Sequence, residues 1–191
     1  MSEEVVSARA APGWFGKLPS LGDFASRRLP EAFVQPWDRW LQHGLVAARA
    51  ELGQRWLDTY LVAPVLRFRL ASGLLGAPGW AGLMMPSIDR VGRHFPLTIA
   101  RPTDQPLAEV LAEHGWFAAL DRTARQVLDV SFTVDDFEAG LGALPADAAD
   151  RAPAVNSALA ARLDGAAPPC SLWWCGAAGD STEFRRFAGL P

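Results

Sequence analysis

Apolar and charged positions alternate over Val65-Leu66-Arg67-Phe68-Arg69-Leu70, which predicts a strand whose charged side faces water or a site. Trp80 to Met85 is apolar on both faces and predicts a central strand that Pro86 ends. Three further strands are predicted: Gly13 to Leu18, broken by Pro19 and a Ser20-Leu21-Gly22-Asp23 turn; Phe95 to Ala100; and Cys170 to Cys175. From Pro36, the residues Trp37, Trp40, Leu41, Gly44, Leu45, Ala48 and Leu52 recur at spacings of three and four, one stripe of a helix that Gly53 ends. Pro30 suits a first helical turn equally well. A short helix follows over Gln54 to Val62.

Thr103 or Asp104 can cap a long helical region that starts near Pro106, with Gly115 marking a break or kink. Thr133 with Asp136 three residues on resembles a capping box and opens a short helix to about Leu144. Residues 145–169 are rich in Ala, Asp and Pro and read as a variable surface segment with one weak helix, Ala154 to Leu163. Thr182 to Phe187 reads as a helical turn. Residues 1–12 read as a disordered N-terminal segment with no signal peptide, leaving 13–191 as a single domain.

Composition changes this picture little. A chain of 191 residues fits one domain that buries its own core without staples. Eight tryptophans stand out, and the helical spacing of Trp37, Trp40 and Trp56 favours core packing. A net charge of −3 with no basic stripe argues against nucleic acid as partner. No apolar run approaches the ~20 residues of a membrane helix, so no membrane insertion is expected. Cys170 and Cys175 with three scattered histidines do not make a metal site, and a reducing, cytoplasmic setting is the simplest inference. Gly16-Lys17 is not a phosphate loop, because Leu18 stands where Ser or Thr is required and the first glycine is missing. No cofactor is expected.

The chemistry concentrates in Ser87-Ile88-Asp89-Arg90-Val91-Gly92-Arg93-His94, between two apolar runs. A hydrolase would use Ser87 as nucleophile with His94 and Asp89, yet there is no G-x-S-x-G elbow and all three lie in one connection. A binding role suits the stretch better. Arg90 and Arg93, three apart, could present two guanidinium forks to a carboxylate or phosphate, oriented by Asp89 or by Asp23 of the first loop. Alternatively Asp89, Arg90, Arg93 and Asp23 pair with one another and hold loops over the sheet. Both readings stay open at this point.

Gly16-Lys17-Leu18-Pro19-Ser20-Leu21-Gly22-Asp23-Phe24, with Arg27 and Leu29-Pro30 after it, resembles the opening signature of the TagF (ImpM) family of type VI secretion accessory proteins. Trp37 to Leu41, Trp56 to Leu61 and Pro64 to Phe68 continue the likeness in order. Met85 to Leu97 is its most specific block and Ser171-Leu172-Trp173-Trp174 its late one, whereas residues 139–169 match nothing. The resemblance implies a single α/β domain, a mixed β-sheet with helices on both faces in three layers, which agrees with the element order read above. It also implies a non-enzymatic, cytoplasmic, post-translational repressor of type VI secretion. Its implied partner is the forkhead-associated scaffold protein, with links to the threonine kinase and phosphatase pathway of that system. An anion- or phosphopeptide-sensing module is the alternative. The expected contact surface comprises Lys17, Asp23, Arg27, Ser87, Asp89, Arg90, Arg93 and His94, and no catalytic residue is implied.

Overall fold

β4 (Gly79–Met85) is the middle strand of a seven-stranded sheet. The computed structural model describes residues 10–145, 169–176 and 184–191. On one side of β4 lie β5 (Leu97–Thr103), β1 (Gly13–Gly16) and β2 (Ala25–Arg27); on the other lie β3 (Leu66–Leu70), β6 (Cys170–Trp174) and β7 (Phe184–Ala188). Pairing between these strands is antiparallel throughout rather than mixed. Gly82 allows the closest approach in the centre: a Cβ there would stand 2.1 Å from the Ile99 carbonyl oxygen.

Helices cover both faces, giving the three-layer α/β domain expected. α1 (Glu31–Leu52) lies on one face. Its Phe33, Trp37 and Leu41 meet Phe68, Leu70, Trp80 and Trp173 of the sheet. Trp37 is wholly buried, stacks on Trp173 at 5.9 Å and donates Nε1 to Thr98 Oγ1 at 2.8 Å. Trp37, Trp80 and Trp173 of this layer are therefore core, whereas Trp40 and Trp56, which share the helical spacing, are only half-buried. α3 (Leu107–Ala112), α4 (His114–Gln126) and α5 (Val134–Gly142) cover the opposite face, against Trp14, Leu83, Leu97 and Ile99.

Several local expectations change. α1 starts at Glu31, with the Pro30 carbonyl accepting from Phe33 and Val34, so Pro36 lies inside the helix. The cost of one lost backbone bond is offset because Phe33 and Trp37 must share the buried face. The long helical region breaks at Glu113, two residues before Gly115, and its N-cap is Pro106. Thr103 stays in β5, its hydroxyl accepting from the Gln105 amide. The Thr133 capping box forms as read.

The charged side of β3 is not wet: Arg69 is buried and Arg67 lies over the Phe117 ring, beneath the α4 layer. The stretch read as a helical turn near residue 187 is β7, paired with β6 from Phe184 onward. The short helix after Gly53 is a 3-10 turn, Gly53–Arg55, followed by α2 (Trp56–Leu61). The weak helix at Ala154 to Leu163 lies outside the described residues, as do residues 1–9. Ala10 to Pro12 carry no regular structure, although the Pro12 carbonyl is held by Arg28 Nε and Nη2.

Candidate functional site: the loop between the central strands

Pro86 stops β4, and the chain returns to β5 through a tight hairpin. Ile88 bridges His94, the Asp89 amide donates to the Arg93 carbonyl, and the Phe95 amide donates to the Ser87 carbonyl. Gly92 turns the tip with φ 80°. This geometry places Arg90, Val91 and Arg93 outward and turns Asp89 and Ser87 inward.

Asp89 is the hub. Its Oδ1 accepts from the backbone amides of Val91 (3.0 Å) and Arg93 (2.9 Å). Its Oδ2 accepts from Arg93 Nε (2.6 Å) and from Lys17 Nζ (3.0 Å). Asp89 is 1% exposed and Lys17 4%, so the lone lysine of the chain neutralises a buried carboxylate. Burial by itself would raise the Asp89 pKa. The hydrogen bonds from the Arg93 backbone, Lys17, the Arg93 side chain and Val91 outweigh it and hold the carboxyl well below the usual carboxylate range.

Ser87 fastens the same loop to two other elements. Its Oγ donates to the Lys17 carbonyl at 2.7 Å. Its amide donates to the Tyr60 hydroxyl (3.0 Å), which itself donates to the Ser87 carbonyl (2.9 Å). Burial pushes the Tyr60 pKa up to about 12, against smaller lowering contributions from the Ser87 backbone and Arg49. The Arg90 amide donates to Leu21 and Arg93 Nη2 to Gly22, so the first loop is clasped against the hairpin. Gly16 makes the approach possible: a Cβ there would stand 2.2 Å from the Pro96 carbonyl oxygen.

The predicted residues therefore divide. Lys17, Ser87 and Asp89 are spent on structure. His94 is half-buried, with its ring edge-on to Trp56 and Tyr60 at 5.7 and 5.5 Å. No hydrogen bond among the described residues joins His94 to Ser87 or Asp89, so the serine-histidine-aspartate reading has no geometry here. Arg93 does both jobs, clasping Asp89 and Gly22 while its side chain is 55% exposed and lies 3.9 Å from the exposed Asp23 carboxylate. Arg90 is exposed, and its guanidinium has no hydrogen bond or ion pair among the described residues. Arg27 sits on β2 opposite Trp14, and its charge acts on Glu138, away from the hairpin.

Sequence reasoning missed Tyr60, although it is the only tyrosine in the chain. It also missed Phe24, which is 45% exposed, packs edge-on to Phe95 at 4.7 Å and lies under the Lys17 ammonium. A second knot escaped notice too: Glu138 accepts from Trp14 Nε1 and from Arg28, which holds φ 60°. On the buried α4 face Arg101 pairs with Glu113 and stacks over Trp116. Among the described residues no group of His, Cys, Asp and Glu is arranged to hold a metal ion, and no helix is long and apolar enough to cross a membrane.

The hairpin and its clasp lie inside residues 13–144, which match the family model described as the TagF N-terminal domain, type VI secretion system-associated. The chain belongs to the TagF family. The crystal structure of PA0076 from Pseudomonas aeruginosa PAO1 is similar to this TagF domain at 40% identity and a TM-score of 0.80. The alignment covers 94% of this chain and 89% of that one, so the shared fold extends well past residue 144. No curated protein matches the chain. The family places this TagF domain with the type VI secretion system.

Proposed function

We propose that the protein is a post-translational negative regulator of type VI secretion that acts by binding the forkhead-associated scaffold component, with no chemistry of its own. Family membership supports the system. One structural observation supports the mode of action: Arg90 and Arg93 project from a hairpin whose base is held by four donors on Asp89. A loop so tightly ordered loses little freedom on docking, and its outward cations and apolar side chains are available for recognition. Val91, 68% exposed, lies between the two arginines on the hairpin tip, and Phe24, 45% exposed, follows Asp23 on the clasped first loop. Arginines beside apolar anchors suit a protein surface carrying carboxylates.

The same arginines would serve the second reading, a phosphopeptide or anion sensor, because a guanidinium fork accepts phosphate as readily as carboxylate. Capture of purified scaffold protein tests the first. Arg90→Ala with Arg93→Ala should keep the fold and weaken capture, and Arg90→Glu alone, at a side chain outside the knot, should weaken it too. Unchanged capture by both folded variants sinks the surface assignment. A rise in melting temperature with phosphothreonine peptide, absent with its unphosphorylated form, would favour the sensor.

A further inference from the structure

A second feature lies on the α1 face and reaches, at one end, the base of the arginine hairpin at Pro86 and Pro96. α1 and the link from α2 to β3 stand apart over the sheet and leave a groove floored by Leu66 and Met84. Two cavities of about 260 and 230 Å³ lie along it and share Trp40, Leu66 and Met84. One is lined by Trp173, Phe187 and Arg185 at the β7 edge. The other runs past Gly44 and Tyr60 to Pro96.

The lining selects the occupant. Arg185 is the one charged residue among the described lining residues. The Tyr60 hydroxyl is committed to Ser87, and Trp40 Nε1 donates to the Pro191 carbonyl. The described lining is almost wholly apolar, so a hydrocarbon chain, with no amides to satisfy, suits its depth better than a peptide backbone. Neither cavity alone reaches the roughly 300 Å³ at which ligand sites begin, while the two together do, so the occupant must extend through both. An unbranched chain meets that requirement.

We propose that the groove binds an unbranched fatty acid, its carboxylate at Arg185 beside the β7 edge and its chain passing Trp173, Met84 and Leu66 toward Pro96. Arg185 has an interaction of its own within the chain, and a guanidinium carries enough N–H donors to serve a carboxylate as well. Gly44 leaves the second cavity open, since a Cβ there would meet nothing within 4 Å.

The test is quenching of tryptophan fluorescence by 12-bromododecanoate, kept below its micelle-forming concentration, because Trp40 and Trp173 line the path. The full chain should show saturable quenching at concentrations on the order of micromolar, competed by unbrominated dodecanoate. Gly44→Leu, which fills the cavity and favours helix, should weaken binding at least about tenfold without lowering the melting temperature. Arg185→Gln should weaken the acid by about tenfold and leave 12-bromododecanol unchanged. No saturable quenching in the unmodified chain, or equal quenching in Gly44→Leu, overturns the proposal. An equal effect of Arg185→Gln on acid and alcohol overturns the placement of the carboxylate. A fluorescence change on adding purified scaffold protein, with no response to the brominated acid, would assign the groove to a protein segment instead.

Discussion

Tyr60→Phe removes one oxygen atom and should loosen the base of the arginine hairpin. The Tyr60 hydroxyl both donates to the Ser87 carbonyl and accepts from the Ser87 amide. After the substitution the carbonyl keeps the Phe95 amide as partner, while the buried Ser87 amide loses its acceptor. A lost hydrogen bond and an unsatisfied buried donor together cost about 2 kcal/mol. In a domain of this size that lowers the melting temperature by about 4–8 °C.

Titration of the same hydroxyl sets how stability depends on pH. Its folded pKa is raised to about 12 by burial, above the unfolded value of 10. The folded state therefore holds a proton that the unfolded state releases, so the contribution is complete below pH 10 and is lost as pH rises toward 12. A shift of that size corresponds to about 2–3 kcal/mol. Urea unfolding of both proteins at intervals from pH 8 to pH 12 is the assay. The stability gap should be widest near pH 9 and close toward pH 12. A gap below about 0.5 kcal/mol at pH 9, or one that does not change with pH, would refute the reasoning.

Asp89→Asn keeps the shape of the hub but removes its charge, leaving Lys17 buried without a counter-ion. It should destabilise the fold at neutral pH and flatten the acid limb. The Asp89 carboxyl is held below its ordinary value, so its contribution is present above about pH 4 and lost as pH falls through the depressed pKa. Acid titrations followed by circular dichroism check the difference. Gly82→Ala should be far more damaging than an ordinary surface change, costing about 3 kcal/mol or more, because its Cβ would overlap the Ile99 carbonyl in the middle of the sheet. Thermal unfolding of the purified variant, or its failure to accumulate in soluble form, measures that.

What the sequence made legible follows from how local each signal is. β4 was readable because a strand buried on both faces must be apolar at every position, and Trp80 to Met85 are. The Thr133 cap was readable because both partners lie within one turn. The charged alternation of β3 predicted a strand correctly but misled about its surroundings. Whether Arg67 and Arg69 meet water depends on α4, supplied some fifty residues later, where Phe117 covers Arg67. β7 was misread because Phe184-Arg185-Arg186-Phe187 has no strong period, and its identity comes from pairing with Trp174 and its neighbours. β2 is three residues long, too short to show a pattern.

The candidate site was half legible. Bunched charges from Ser87 to His94 marked the loop, and the alternatives of knot or contact surface were both present in the residues. Their division required three dimensions. Asp89 finds Lys17, seventy-two residues earlier, and Ser87 finds Tyr60, and neither partnership has a local signature. Once those pairs are made, the inward residues are structural, while Arg90 and the outer part of Arg93 stay exposed. Arg27, grouped with them through the family's opening signature, is carried by β2 opposite Trp14, where its charge acts on Glu138.

The most direct measurement is deuterium exchange of the full chain with and without the purified forkhead-associated scaffold protein. Residues 21–24 and 88–94 should gain protection on binding, and the gain should disappear in Arg90→Ala with Arg93→Ala while the sheet core exchanges as before. Protection elsewhere, or none at saturating scaffold, would contradict the assignment of this hairpin as the docking surface.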